Sequence, residues 1–331
     1  MAKTAFATGN ALVKKAWEEK LFRDTEKDSY FSRFMGTSAG SIVQVNSKLE
    51  KDKGDKVTFG IRMRLSGSGI TSGQTLEGNE EKLVTHDYSV FLEQYRHAVR
   101  DNGEIDRKRA MFSIDEESMA ALKGWGAEKI DSLCFTAITT SPTKIFYGGN
   151  ATSTSDIDTA DLITPAKISA IKTWCSTGGN RAQTPLRPVR INGKNYFVLL
   201  VHPDVMYDLK QDSTFAQARR EALERGRDNP IFTGSEAIWD GVVIHEHENI
   251  PIVTTWGAGG NVPGAQCVLM GAQSLVWAWG KRPAVVSRDF DYGNEHGFAW
   301  GMICATGKPV FNSLDYGSVG VYVARTQIAD A

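Results

Sequence analysis

The sequence predicts an α+β protein with one long β-hairpin, one long α-helix and a strand-rich second half. Apolar and polar residues alternate over residues 56–65 and 81–94, which is the period-2 pattern of a strand with one buried face. Between residues 113 and 138, apolar side chains recur at steps of three and four, as is typical of a helix. Short apolar runs after residue 195 predict the remaining strands.

Composition argues against several classes of protein. The 331 residues include 38 basic and 39 acidic side chains, and a net charge of −1 argues against a large basic surface for nucleic acid. No run of about 18 uncharged apolar residues is present, so the sequence predicts no membrane span. Four well-separated cysteines without a CxxC pair predict buried, reduced thiols, and no motif predicts a cofactor.

Residues 1–50 read as an arm. They are largely polar and carry a few aromatic side chains at Tyr30, Phe31 and Phe34. Nothing in this stretch predicts an independent core, so we expect the arm to lie on other structure.

The predicted hairpin has two strand legs and a flexible tip. Fifteen residues rich in Gly and Ser, 66–80, separate the legs, each of which would be roughly 30 Å long. A two-stranded ribbon is marginal in water by itself. Its apolar face must therefore be covered either by the rest of the chain or by another subunit.

The long helix has a predicted start and an unusual middle. Ser113 and Glu116 fit a capping box, in which each residue satisfies a free backbone N–H. Gly124 and Gly126 flank Trp125, and mid-helix glycines cost about 1 kcal/mol each relative to Ala. Such glycines indicate either close packing by a neighbour or a bend.

Local signals place several later elements. Thr164 and Pro165 predict the start of a helix that runs through Trp174 and ends at Gly178. Residues 195–201 predict a strand buried on both faces. A helical region follows over 202–225, with a break near Asp212. Further short strands are predicted at 240–246, 251–255, 266–270, 275–279, 298–305 and 318–324.

Two motifs suggest chemistry, and the sequence argues against both. The GTSAG segment around Ser38 resembles the nucleophile elbow of patatin-like lipases, but that elbow needs a buried strand before the serine. His245 and His247 share one face of a strand, as in some metal sites, with His202 or His296 as a possible third ligand. No set of residues combines nucleophile, base and orienting group, so we expect no enzyme.

The order of these parts resembles the major capsid proteins of tailed bacteriophages with the HK97-like fold, close to the podophage-type subfamily. The resemblance covers nearly the whole chain. It rests on KGDKVTFGIRMRLSGSGI at 53–70, LEGNEEKL at 76–83, EQYRHAVRDNG at 93–103, VLLVHPDVMYDLKQD at 198–212 and NPIFTGSEAIWDGVVIHEHENIPIV at 229–253.

The resemblance implies a domain organisation. Residues 1–50 would be the N-terminal arm, 51–103 the extended E-loop hairpin, and 104–165 the P-domain with its long spine helix. Residues 166–274 would be the A-domain, and 275–331 would return to the P-domain sheet.

The resemblance also implies function and partners. The chain would assemble in the cytoplasm of a bacterial host into hexamers and pentamers of an icosahedral virion capsid around double-stranded DNA, which it would contact non-specifically. The segment before the E-loop is shorter than the scaffolding segment of many relatives, so a separate scaffolding protein is expected. A portal and decoration proteins are further expected partners. The resemblance predicts no metal, no catalytic residues and no membrane partner.

Charged side chains near the hairpin tip are candidate contacts between subunits. Arg62 and Arg64 lie on the first leg, and acidic or polar residues lie beside the tip, so we expect some ion pairs to form between subunits. The full set of predicted contact residues is Arg62, Arg64, Glu77, Asn79, Glu80, Glu81 and Trp125.

Overall fold

A computed structural model of the chain describes residues 29–50, 54–63, 65, 67–179, 185–191, 193–221 and 237–327. The helices are α1 (Glu104–Arg109), α2 (Ile114–Thr139), α3 (Pro165–Thr177), α4 (Pro203–Gln211) and α5 (Ser213–Glu221). The strands are β1 (Met35–Gly36), β2 (Val43–Asn46), β3 (Lys56–Arg62), β4 (Thr85–Phe91), β5 (Glu93–Arg100), β6 (Ile145–Tyr147), β7 (Val189–Ile191), β8 (Lys194–Val201), β9 (Ala237–Trp239), β10 (Val242–Glu246), β11 (Ile252–Trp256), β12 (Val262–Met270), β13 (Leu275–Phe290), β14 (Glu295–Gly307), β15 (Val310–Phe311), β16 (Leu314–Asp315) and β17 (Ser318–Ala324). The α+β class is therefore confirmed.

The described residues fall into two compact units. The small unit comprises residues 96–127 and 284–301, and the main unit comprises residues 29–95, 128–283 and 302–327. Four elements, β5, α2, β13 and β14, contribute residues to both units.

The main unit is built on an eight-stranded sheet with the order β6-β17-β12-β8-β10-β9, to which β11 and β7 add at β12 and β8. Strand β8 is buried from Phe197 to Val201, as its continuous apolar run predicts. Strand β17 is buried along its whole length and pairs with β12 and β6. Strand β17 therefore belongs to the main sheet, and the predicted return of residues 275–331 to a P-domain sheet stays a prediction.

A second sheet has the order β1-β2-β13-β14-β5. Strand β2 runs parallel to β13, with Val43 opposite Leu275, and both side chains are fully buried. Strands β1 and β2 of the predicted arm therefore lie in a sheet of this chain, and Phe31, Phe34 and Val43 are buried there. The rest of the predicted arm, residues 1–28, lies outside the described residues.

The hairpin is shorter than its sequence pattern predicts. Strands β3 and β4 pair over seven residues each, which is about 23 Å, in a two-stranded sheet of their own. The expected second leg does not run on to residue 94, because β5 starts at Glu93 and joins the second sheet. We call β3, β4 and the residues between them the long hairpin, and we call residues 63–84, which connect the two strands, the tip.

The predicted helix signals are confirmed at both ends. The Glu116 amide donates to Ser113 Oγ (3.4 Å) at the start of α2, which spans 26 residues. Helix α3 is capped by the Thr164 hydroxyl and ends at Gly178, whose positive φ of 66° suits glycine. The predicted break at Asp212 separates α4 from α5, whereas the rest of the 202–225 helical region lies beyond the described part of α5.

Candidate assembly surfaces

The base of the long hairpin is covered by its own chain. Val57 lies opposite Val90, and Phe59 lies opposite Tyr88, so both pairs share one face. This face packs against a group of buried residues on the second sheet, namely Val276, Ala278 and Ala305. The sequence left open whether this chain or another subunit covers the apolar face of the hairpin. At the base of the hairpin, this chain covers it.

The tip, in contrast, exposes large apolar side chains. Leu76 is 64% exposed and Leu65 is 57% exposed, and Leu83 and Val84 are exposed as well. Their neighbours include Gly69, Gly73 and Gly78, all at positive φ, which fits the predicted flexible turn. Large exposed apolar patches are characteristic of interaction sites, so the tip is a candidate contact surface.

The predicted charged contacts of the tip make local bonds. Glu81 accepts from the Gly67 amide (2.7 Å), Glu80 accepts from the Gly78 amide (2.8 Å), and the Asn79 amide group donates to the Thr75 carbonyl (2.9 Å). Glu77 is exposed, and Arg62 is exposed opposite Thr85 in β4. Arg64 lies outside the described residues. These positions leave ion pairs between subunits a prediction.

Trp125, the remaining predicted contact, packs inside the small unit. Its ring meets the Trp300 ring edge-on (centroids 5.4 Å apart) and lies 4.8 Å from the His97 ring. A Cβ at Gly126 would sit 2.5 Å from Trp300, so this glycine permits the close approach. A Cβ at Gly124 would meet nothing within 4 Å, and the structure gives no packing reason for that glycine.

The small unit carries a second group of exposed apolar side chains that the sequence pattern did not reveal. Helix α1 and the segment after it were not predicted, and they expose Ile105, Met111 and Phe112. The β13–β14 turn exposes Tyr292 fully, in a left-handed conformation with φ of 52°. Val285 and Val286 on β13 complete the group.

An aspartate on α2 anchors the chain that enters β1. Asp131, which is 4% exposed, accepts hydrogen bonds from the Ser29 hydroxyl (3.0 Å) and from the Tyr30 and Phe31 amides (2.7 and 3.1 Å). Burial raises the pKa of Tyr30, and Asp131 adds to this shift against the opposing effect of Arg33. No sequence motif pointed to Asp131, because its partners lie about 100 residues away.

Both predicted chemical motifs have structural roles. Ser38 is exposed in a turn between β1 and β2, and a strand rather than a helix follows it. The strand-to-helix turn of a nucleophile elbow is therefore missing at this position. His245 and His247 do share one face, and both rings pack on Tyr30 at 5.9 and 4.6 Å.

One further side-chain group in the described regions has a spacing that a metal ion could use. It consists of Asp101, Asp115 and His296 in the small unit. The His296 amide donates to Asp101 (2.6 Å), and Arg107 pairs with the same carboxylate. Although burial opposes the shift, these two partners hold the pKa of Asp101 below its usual value. The carboxylate is thus already engaged in structural bonds.

The cysteines confirm the expectation of buried thiols. All four are free and buried. Burial raises the pKa of Cys175, Cys267 and Cys304 to about 12, so these thiols are protonated at neutral pH. Within the described ranges, no helix is both long enough and apolar enough to span a bilayer.

Comparison with known proteins identifies the family. A family profile described as "Phage capsid protein" matches residues 5–143 and 136–325, which together span nearly the whole chain. The chain belongs to the phage capsid protein family. The sequence-based recognition of the family is therefore confirmed.

Individual phage capsid proteins align along the entire chain. The major capsid protein of Pseudomonas phage KPP25 is 28% identical over 97% of both chains. The capsid of Ralstonia phage GP4 superposes with a TM-score of 0.88 at 27% identity over 100% of both chains. The capsid of cyanophage Pam1 superposes with a TM-score of 0.82 at 22% identity, over 98% of this chain and 99% of its own. The expected HK97-like fold is confirmed.

Proposed function

We propose that this phage capsid protein is the shell subunit of an icosahedral phage head, in which it forms hexamers and pentamers that enclose double-stranded DNA. Assembly would take place in the cytoplasm of the bacterial host. Membership of the capsid family and the full-length similarity to phage capsids support a structural, non-enzymatic role.

The observation that carries this proposal is the division of the long hairpin into a covered base and an uncovered tip. The apolar base packs on its own chain, so the hairpin is held in place before any partner binds. The tip offers Leu65, Leu76 and Leu83 to a partner. A second copy of this chain is the partner that a shell subunit meets most often.

We assign the receiving surface to the long-helix region of the neighbouring subunit. The small unit there carries exposed apolar side chains, among them Ile105, Met111 and Phe112. A contact between two different surfaces of identical chains is heterologous, and such contacts close into rings of six or five. Glycines in the tip would let the same chain adapt to both rings.

Ion pairs between subunits would add to this contact. Reversal of Arg62 and Arg64 to Glu should lower particle yield and the thermal stability of shells. Each exposed pair contributes only about 0–1 kcal/mol, but the pairs recur at every interface. Unchanged yield and stability would remove these arginines from the interface.

The proposed partners are a separate scaffolding protein, a portal, decoration proteins and packaged DNA. A net charge of −1 suits a wall that confines DNA without binding it tightly. The domain roles stated for residues 1–50, 51–103, 104–165, 166–274 and 275–331 are part of this proposal.

Co-expression with the scaffolding protein, followed by negative-stain electron microscopy, tests the proposal. We expect shells, rings or large polymers. A stable monomer with an esterase activity that Ser38→Ala abolishes would contradict it, and the Ser38→Ala variant also serves as a control that should assemble normally.

A further inference from the structure

A buried lysine ties the end of the long helix to a small hairpin. We call β15, β16 and their turn the small hairpin. Lys308, which is 7% exposed, donates to the carbonyls of Thr140 (2.8 Å) and Ser141 (3.0 Å), directly after the last residue of α2. These carbonyls follow the C-terminus of α2, where a cation also interacts favourably with the negative end of the helix dipole.

The same lysine is bonded to the small hairpin through Asp315. The Lys308 ammonium lies 2.9 Å from Asp315 Oδ2, and the Asp315 side chain is 1% exposed. This carboxylate also accepts from the Thr143 amide (2.8 Å), and the Asp315 amide donates to the Thr143 hydroxyl (2.9 Å). The segment after α2 and the small hairpin are therefore fixed to each other by several bonds.

The other side of the small hairpin contacts the long hairpin. The Phe311 ring meets Tyr88 of β4 edge-on, with centroids 6.3 Å apart. Phe311 also packs on Tyr316 (5.6 Å), whose hydroxyl donates to the sulfur of Met63 (3.2 Å) at the start of the tip. A Cβ at Gly307 would crowd the Tyr88 hydroxyl and the Val90 side chain, so this glycine allows β14 to lie close to β4.

The chemistry of the link favours a specific role. Burying a lysine and an aspartate is costly, and apolar residues of similar size often pack at least as stably. A buried ion pair can nevertheless fix one geometry through its hydrogen bonds: the Lys308 ammonium makes three, and Asp315 Oδ2 accepts two. Here the pair acts together with the Thr143–Asp315 bonds to join the segment after α2 to the small hairpin.

We propose that Lys308 and Asp315 are positioning residues that set the orientation of the long hairpin, by locking the small hairpin to the end of α2. This inference rests on the proposed function only in taking the long hairpin as the assembly element. It concerns the single subunit and can be tested before any shell forms.

Amide hydrogen exchange in the full-length subunit is the direct test, with Lys308→Met, Phe311→Ala and their combination. Each single variant should raise the exchange rate of β3 and β4 amides about fivefold, while β8 amides in the main sheet stay unchanged. Because both substitutions break the same link, the double variant should exchange no faster than the faster single variant. Rates that multiply in the double variant would overturn the proposal.

Two further variants separate positioning from general destabilisation. Lys172→Met removes a lysine–aspartate pair elsewhere, with Asp240 at 3.1 Å, and should leave β3 and β4 exchange unchanged. Tyr316→Phe removes only the hydroxyl that bonds Met63, so it keeps the protein folded if Lys308→Met does not. Tyr316→Phe should raise β3 exchange about twofold near Arg62, and no change there would contradict the link.

Shell formation distinguishes the two proposals. If the wild-type chain forms shells with its scaffold and Lys308→Met gives shells of unequal diameter, the proposed function and the positioning role of Lys308 are both supported. If the wild-type chain forms no shells, the proposed function fails, but the exchange experiment still decides whether Lys308 positions the long hairpin. Shells of normal diameter and yield from a Lys308→Met subunit with a loosened hairpin would show that this positioning has no role in assembly.

Discussion

Strand β8 and the long hairpin show two uses of apolar side chains in one molecule. From Phe197 to Val201, every side chain of β8 is buried by this chain alone. The long hairpin also alternates apolar residues, but its cover ends after the base, and Leu76 at the tip is 64% exposed. The apolar side chains of β8 stabilise the fold of the single subunit. The exposed apolar side chains of the tip are instead available for a contact with another chain.

The difference predicts that substitutions of similar size have opposite effects in the two regions. A change in the body should lower the free energy of unfolding, whatever it does to assembly. A change at the tip should leave the folded subunit intact and act on association.

Leu200→Ala in β8 should cost about 2–5 kcal/mol in the free energy of unfolding, because it leaves a cavity among fully buried neighbours. Denaturant unfolding followed by circular dichroism measures this. The matched control is Leu65→Ala at the tip, which should cost less than about 0.5 kcal/mol. Equal losses in the free energy of unfolding for the two variants would contradict the proposed difference between β8 and the tip.

Asp131→Ala should lower the free energy of unfolding by about 2 kcal/mol, because three donors at residues 29–31, two of them buried amides, lose their acceptor. Asp131→Asn keeps one carbonyl oxygen and should lose less. The same unfolding experiment compares them. If both variants match the wild type, Asp131 does not anchor the chain that enters β1.

His202 should make the body sensitive to mild acid. Its Nδ1 accepts from the Asp204 amide (3.2 Å) and caps α4, which requires the neutral ring. Burial lowers the pKa of His202 against the opposing effect of Asp204, and Arg325 adds to the lowering. Because the folded pKa lies below the unfolded value, this stabilisation is complete above about pH 6.5 and is lost as the pH falls below it.

His202→Asn isolates this effect, since asparagine also caps helices but does not titrate. Stability measured between pH 5 and 8 should fall less steeply for the variant than for the wild type. A variant with the same pH dependence as the wild type would assign the acid sensitivity to other groups.

The smallest effect on the subunit is expected at the tip. The Leu76→Ser and Leu83→Ser changes together should shift the free energy of unfolding by less than about 0.5 kcal/mol, because both side chains are already in water. Thermal unfolding of the unassembled subunit provides the measurement. A marked loss of stability would instead place these leucines in the subunit core, and would contradict the proposed difference between the tip and β8.

Elements with local signals were predictable from the sequence. Ser113, Thr164 and Gly178 mark helix ends through their own backbone chemistry, and β8 and β17 are marked by uninterrupted apolar runs. The predicted strand at 275–279 was far too short, because β13 continues to Phe290 through exposed, charged residues. The extension of β13 beyond residue 279 depends on hydrogen bonding to neighbouring strands, which cannot be predicted from the alternation of side chains.

The candidate surfaces were only partly predictable for the same reason. The tip could be found from its glycines and from the alternation around it, and the family resemblance supplied its role. The exposed group around Ile105 and Phe112 was missed because α1 is short and carries no apolar period. The role of Asp131 depends on partners at least 100 residues distant, and Lys308 bonds two carbonyls more than 160 residues away as well as the nearby Asp315; no local pattern reveals the distant partners.

Electron microscopy of the Leu76→Ser/Leu83→Ser subunit, co-expressed with its scaffolding protein, tests the central claim most directly. We predict that the variant subunit keeps the thermal stability of the wild type but no longer forms closed shells, whereas the wild type forms abundant shells. Shells of wild-type yield and diameter from this variant would contradict the claim that the exposed tip is the surface that joins subunits.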